Sequence, residues 1–118
     1  MSDKDFCLFH NPRCSKSREA LALLEERGVT PEVREYLKTP LSLAELHQLR
    51  ALLGLPAREL LRSGEEEYAQ LDLARPELSD DALLQAIAEH PRLLQRPILV
   101  RGERAVIARP PERVLDLL

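Results

Sequence analysis

The run Phe6-Cys7-Leu8-Phe9 is continuously apolar and stops at His10-Asn11-Pro12. So short an unbroken run suits a buried strand, and the Asn-Pro pair marks the turn that ends it. Over residues 15–27 the period changes: Ala20, Leu21, Leu23 and Leu24 form a stripe at helical spacing, and Gly28 supplies a stop signal. Pro31 then opens a second strand candidate over residues 32–37, with Val33 its clearest β-former and Tyr36-Leu37 its close. Strand, helix and strand make a βαβ unit, in which the helix is the crossover between parallel strands.

The middle of the chain reads as helical. Ser42-Leu43-Ala44-Glu45 is a capping box ahead of apolar residues at Leu43, Leu46, Leu49 and Leu53, and Gly54 ends that run. A short helix is predicted over residues 56–62, closed by Ser63-Gly64. Another starts at Ser79, turns Leu83, Leu84 and Ile87 inward and ends at His90-Pro91. The last third returns to strands. Pro97-Ile98-Leu99-Val100 and residues 104–107 flank Gly102 as a hairpin, and Pro110-Pro111 opens a final helix with Val114, Leu115 and Leu118 apolar. The expectation is an α/β fold in one domain, residues 1–118. Its mixed four-stranded sheet is built as βαβ, a helical insertion, then ββα, with the terminal helices over its faces.

Composition narrows the function classes. The chain is 44% hydrophobic and 31% charged, enough to build one core without staples. Aromatics are only 3%, so the core is aliphatic and a base-stacking mode of nucleic-acid binding is disfavoured. A net charge of −3 makes no electrostatic case for nucleic acid or a membrane surface. No apolar stretch is long enough to span a bilayer, and the charged residues 1–5 do not resemble a signal peptide. The expected compartment is the cytoplasm, and the expected state a monomer.

Two cysteines, Cys7 and Cys14, are too few for a disulfide framework or a zinc site, so no metal is expected. Cys7 lies inside the first apolar run and reads as packing. Cys14 follows the turn and starts a helix, where free backbone N–H groups and the nearby Arg13, Lys16 and Arg18 favour a thiolate. The same N–H groups suit an oxyanion beside the sulfur. His10 is either a partner that favours the thiolate or a brace for the loop. Cys14-Ser15-Lys16-Ser17 has the spacing of a dithiol motif without the second sulfur, so an adduct on Cys14 would need an external thiol to resolve it. Ser17 is either a hydrogen-bond donor in the site or a local helix residue.

The run His10-Asn11-Pro12-Arg13-Cys14-Ser15-Lys16-Ser17-Arg18 resembles the active-site loop of the glutaredoxin-dependent arsenate reductase family. Further segments resemble that family in its order: Tyr36-Leu37-Lys38-Thr39-Pro40, Leu60-Leu61-Arg62, His90-Pro91, Gln95-Arg96-Pro97-Ile98-Leu99-Val100 and Arg109-Pro110-Pro111-Glu112. The resemblance implies a thioredoxin-like fold. It implies that Cys14, assisted by His10, attacks arsenate, and that Arg62, Arg96 and Arg109 surround the oxyanion, a task suited to the planar fork of arginine. Asn11, Ser15, Ser17 and Pro97 would support the loop, with Arg96-Pro97 a cis bond facing the cysteine. Glutathione would be the co-substrate and glutaredoxin the partner, with no bound cofactor.

The chain departs from the family in carrying Ser15-Lys16-Ser17 where a Gly-Thr-Ser pattern is usual, and in ending at Leu118. The first departure bears on the substrate more than on the thiol chemistry. Two other readings stand beside the enzyme. One is a redox-linked regulator that binds RNA polymerase. The other is a monothiol, glutathione-linked oxidoreductase, which needs Cys14 but no arginine-lined pocket.

Overall fold

The structure is a computed structural model that describes residues 5–118; the signal-peptide reading above rests mostly on residues 1–4, which lie outside this range. Backbone contacts divide the chain into two compact units, one formed by the chain up to Thr39 with Arg96–Leu118, the other by Pro40–Gln95.

The first unit holds strand β1 (Phe6–His10), helix α1 (Ser15–Glu26), strands β2 (Glu32–Glu35), β3 (Ile98–Arg101) and β4 (Arg104–Ile107), and a closing 3-10 helix, Pro111–Leu117. The strands form one sheet in the order β2-β1-β3-β4. β1 runs parallel to β2, pairing Leu8 with Val33 and His10 with Glu35, as the α1 crossover requires. β3 is antiparallel to both β1 and β4, with Leu99 opposite Leu8 and Val106. This is the mixed α/β, thioredoxin-like sheet that the sequence predicts.

Alternation along the strands decides what is buried where. Phe6 and Leu8 of β1 share a cluster with Leu99 and Val106, and onto it pack Ala20 and Leu24 of α1 and Val114 and Leu117 of the closing helix. The two terminal helices therefore pack into one and the same cluster, where the sequence reading spread them over the faces of the sheet. The closing helix is also 3-10 rather than α. Its buried residues are Pro111, Val114 and Leu117, spaced by three, the period at which side chains eclipse in a 3-10 helix. β2 ends two residues earlier than predicted. Lys38 and Thr39 both donate to the Glu35 carbonyl, at 2.9 and 3.0 Å, and turn the chain out of the sheet.

The second unit holds α2 (Leu43–Leu53), a 3-10 turn at Ala57–Leu60, α3 (Glu66–Gln70), α4 (Asp80–Glu89) and a 3-10 turn at Pro91–Leu93. The capping box is present: Glu45 N donates to Ser42 Oγ at 3.1 Å and Ser42 N to Glu45 Oε1 at 3.0 Å. Gly54 closes α2 at φ 67°, a left-handed conformation that costs glycine nothing. α2 packs on α4, and Leu46, Leu49, Leu83, Leu84 and Ile87 are buried. α3 was not anticipated, because it buries no residue and so leaves no apolar stripe in the sequence. No helix among the described residues is long and apolar enough to cross a membrane.

Leu24 is fully buried at the centre of the first cluster, whereas Leu37 is 40% exposed. Leu24→Ala is expected to lower the unfolding free energy by about 2–5 kcal/mol, the usual cost of a buried leucine deletion. Leu37→Ala should change it by less than about 0.5 kcal/mol, as surface substitutions do. Urea denaturation followed by circular dichroism measures both.

Candidate active site around Cys14

The sheet register gathers several segments at one end. β1 leaves the sheet at His10, opposite the last residue of β2. Phe9 pairs with Ile98, and Ile98 with Ile107, so Arg96-Pro97 and Arg109-Pro110 flank the same end of β3 and β4. A hydrogen bond from Ala108 N to Pro97 O, at 2.8 Å, ties those two segments together. Both Arg96-Pro97 and Arg109-Pro110 are cis. The first was expected from the resemblance and the second was not.

The loop between β1 and α1 is braced from within. Cys14 N donates to Asn11 O and Arg13 N to Asn11 Oδ1, both at 3.0 Å, which closes the turn. Arg18 Nη1 donates to Pro12 O at 2.8 Å and holds the loop against the helix. Behind it, Ser17 Oγ accepts from Asn11 N at 3.0 Å and lies 2.6 Å from His10 Nδ1. Ser17 is 0% exposed, and these bonds are what allow a hydroxyl there.

Cys14 is the N-cap of α1, partly exposed and in extended backbone conformation. Burial of the sulfur opposes ionisation. The Ser17 backbone N–H, the Arg96 side chain, the Lys16 backbone N–H and the Arg96 charge outweigh it and hold the thiol below its ordinary value of 9.0. The helix N–H groups are those expected at such a position, whereas the cation is Arg96 rather than the expected Arg13, Lys16 or Arg18. Cys7 behaves oppositely: burial and the Glu32 carboxylate push its thiol up, against the pull of Arg34. The arrangement in the first unit is thus a thiol whose ionisation is favoured at a helix N-terminus, beside a guanidinium, a group that can also grip an oxyanion.

The remaining candidates fall into different places. His10 is buried, and burial holds its imidazole below the ordinary value, against Glu35 and together with Arg18. It is neutral near pH 7, and its Nδ1 engages Ser17 Oγ. Ser15 is exposed in the first turn of α1, and the neighbouring Lys16 pairs loosely with Glu19 at 3.8 Å. Arg109 is exposed and Pro97 buried. Arg62 belongs to the helical unit, where Nη1 sits 3.0 Å from Glu65 Oε1, while Glu65 Oε2 lies 3.1 Å from Arg92.

Tyr36 was read only as the end of a strand. It is 0% exposed, and its hydroxyl oxygen is sealed from solvent with no hydrogen-bond partner. Burial pushes its phenol up to about 12; Arg96 opposes this, a negative Cys14 reinforces it, and Asn11 opposes it again. The sequence held no signal for it: the parallel pairing of His10 with Glu35, a feature of tertiary structure, puts the residue after Glu35 beside the Cys14 loop.

Because alkylation proceeds through the thiolate, the two cysteines should separate in pH. Carbamidomethylation by iodoacetamide, mapped by peptide mass spectrometry, is expected to reach its half-maximal rate below pH 9.0 at Cys14 and above it at Cys7. In Cys14→Ser only the high-pH reaction should remain.

Comparison with known proteins places the chain in a family. A profile described as the ArsC family matches residues 9–117. The arsenate reductase of Neisseria meningitidis serogroup A is 52% identical over 112 residues, covering 94% of this chain and 96% of that protein. The uncharacterized protein YfgD of Escherichia coli K12 is 51% identical over 116 residues, covering 98% of each. A solved structure titled as an arsenate reductase from Vibrio cholerae superposes with a TM-score of 0.93 at 51% identity, covering 96% of this chain and 97% of that one. The chain belongs to the ArsC family.

Proposed function

We propose that the protein is a glutathione- and glutaredoxin-dependent arsenate reductase in which Cys14 is the nucleophile. The observation that carries this is the Cys14 thiol held below its ordinary value by α1 backbone N–H groups and Arg96. The names of the Neisseria and Vibrio relatives support arsenate as the substrate. The need for an external thiol follows from Ser17, a buried hydroxyl where a dithiol site would carry its second sulfur.

The Cys14 thiolate attacks arsenic(V) of arsenate, an S–As bond forms, and one oxygen leaves as water after taking up protons. Arg96, and by family resemblance Arg62 and Arg109, offset the charge on the remaining oxygens through charge-assisted hydrogen bonds. Glutathione then displaces a second oxygen, again as water, so that arsenic carries both the Cys14 and the glutathione sulfur. A glutaredoxin thiolate attacks the glutathione sulfur and forms a mixed disulfide, and the electron pair of the broken S–As bond reduces arsenic(V) to arsenic(III). Water finally cleaves the Cys14–arsenic bond, which releases arsenite and restores the thiolate. His10 and Ser17 hold the loop throughout, and Asn11 and Pro97 shape it. The protein acts as a monomer in the cytoplasm, where glutathione is available.

Arsenite formation from arsenate, with glutathione and glutaredoxin supplied, is the direct test. Cys14→Ser should abolish it. Arg96→Ala should lower kcat/KM by an amount equivalent to about 2–4 kcal/mol, the range for a lost donor to a transition-state anion. Mass spectrometry after arsenate and then glutathione should show an adduct that depends on Cys14. An unmodified protein with no arsenite formed would exclude arsenate as the substrate.

A further inference from the structure

Buried hydroxyl groups in folded proteins almost always have a hydrogen-bond partner, and one left without costs about 1–3 kcal/mol. The Tyr36 hydroxyl is such an exception. Its surroundings are specific. Continuing the register of β1 and β2 by one step places Tyr36 beside Asn11, at the start of the loop that ends in Cys14. Arg96 approaches from the far side of β1, since Phe9 pairs with Ile98. The Tyr36 oxygen and the Cys14 sulfur both lie within reach of the one Arg96 guanidinium. Oxygen, guanidinium and sulfur therefore form a cluster at one end of the sheet. Of the three residues, only Tyr36 is fully buried.

We propose that Tyr36 is a positioning residue for Arg96: its hydroxyl oxygen accepts a guanidinium N–H as negative charge gathers on the Cys14 sulfur or on an oxyanion bound there, and so keeps the arginine fork turned on the reacting centre. A phenol is a neutral acceptor, so it steers the guanidinium without cancelling its charge. With its ionisation pushed up to about 12, Tyr36 stays neutral at physiological pH. The role is independent of the identity of the oxyanion, because any anion at the sulfur makes the same demand on Arg96.

The substitution Tyr36→Phe keeps the ring and removes only a buried hydroxyl that makes no close hydrogen bond in the free protein. A hydroxyl with no function should be lost without consequence, or with a gain in stability. The experiment is the pH profile of Cys14 alkylation by iodoacetamide in wild type, Tyr36→Phe, Arg96→Ala and the double variant, with thermal melting of each. Tyr36→Phe is expected to melt no lower than wild type, yet to raise the alkylation midpoint by about half a pH unit, roughly a threefold loss of thiolate below the midpoint. In the Arg96→Ala background the same change should shift nothing further, as a non-additive pair requires. An unmoved midpoint in Tyr36→Phe would overturn the proposal. So would an equal shift with and without Arg96, which would mean that the hydroxyl acts on the sulfur directly. A lowered melting temperature with an unmoved profile would assign Tyr36 a purely structural role. No arm of the experiment uses arsenate, so a failed arsenite assay would count against the proposed substrate and leave these outcomes intact.

Discussion

The reactive end of the molecule depends on one hydroxyl. Ser17 lies in the first turn of α1, and its Oγ receives the Asn11 amide and contacts the His10 imidazole. One oxygen thereby couples the last residue of β1 to the helix whose N–H groups face the Cys14 sulfur. Without this tie, the loop's position would rest on short turns and one exposed arginine contact. Burial of Ser17 makes the tie stronger than it would be in water, since a hydrogen bond in a low-dielectric interior is electrostatically stronger. A buried, neutral His10 fits the same purpose: a charged imidazole there would bring a desolvation cost that the Ser17 contact alone does not offset.

The site is also economical in charge. Ionisation of its thiol is favoured by two sources, the backbone N–H groups of α1 and the Arg96 guanidinium, which also reaches the neutral phenol of Tyr36. In the helical unit, by contrast, Arg62, Glu65 and Arg92 form a small ion-pair network.

Much of the architecture was legible in the residues themselves. The Ser42–Glu45 box, the left-handed Gly54 and the hairpin around Gly102 are local devices, written where they act. Cys14 was legible for the same reason, because a strand, a turn and a helix start announce a helix N-terminus. The closing helix was harder. Pro111, Val114 and Leu117 stand three apart, but Val114 and Leu118 stand four apart as an α-helix would use them, and packing into the cluster with Phe6 and Leu8 selects the three-residue set. Tyr36 was the least legible. A tyrosine closing a strand is ordinary, and its significance lies in which strand lies beside it and which arginine comes in from the next, both products of tertiary structure. For Arg62 the element end was apparent and the carboxylate that holds it was not, since Glu65 three residues on reads equally well as a solvated neighbour.

The buried serine at position 17 has a consequence for the chain under oxidative stress. Peroxide converts a thiolate such as Cys14 to a sulfenic acid, and proteins with a neighbouring thiol trap that species quickly as an internal disulfide. Here the neighbour is a hydroxyl, and the only other cysteine, Cys7, lies inside β1 with its thiol kept protonated. Rescue from the sulfenic state must therefore come from a small thiol in solution. Where that supply runs low, the sulfur is open to further, irreversible oxidation to the sulfinic acid, so the protein's working lifetime is tied to the reducing capacity of its surroundings.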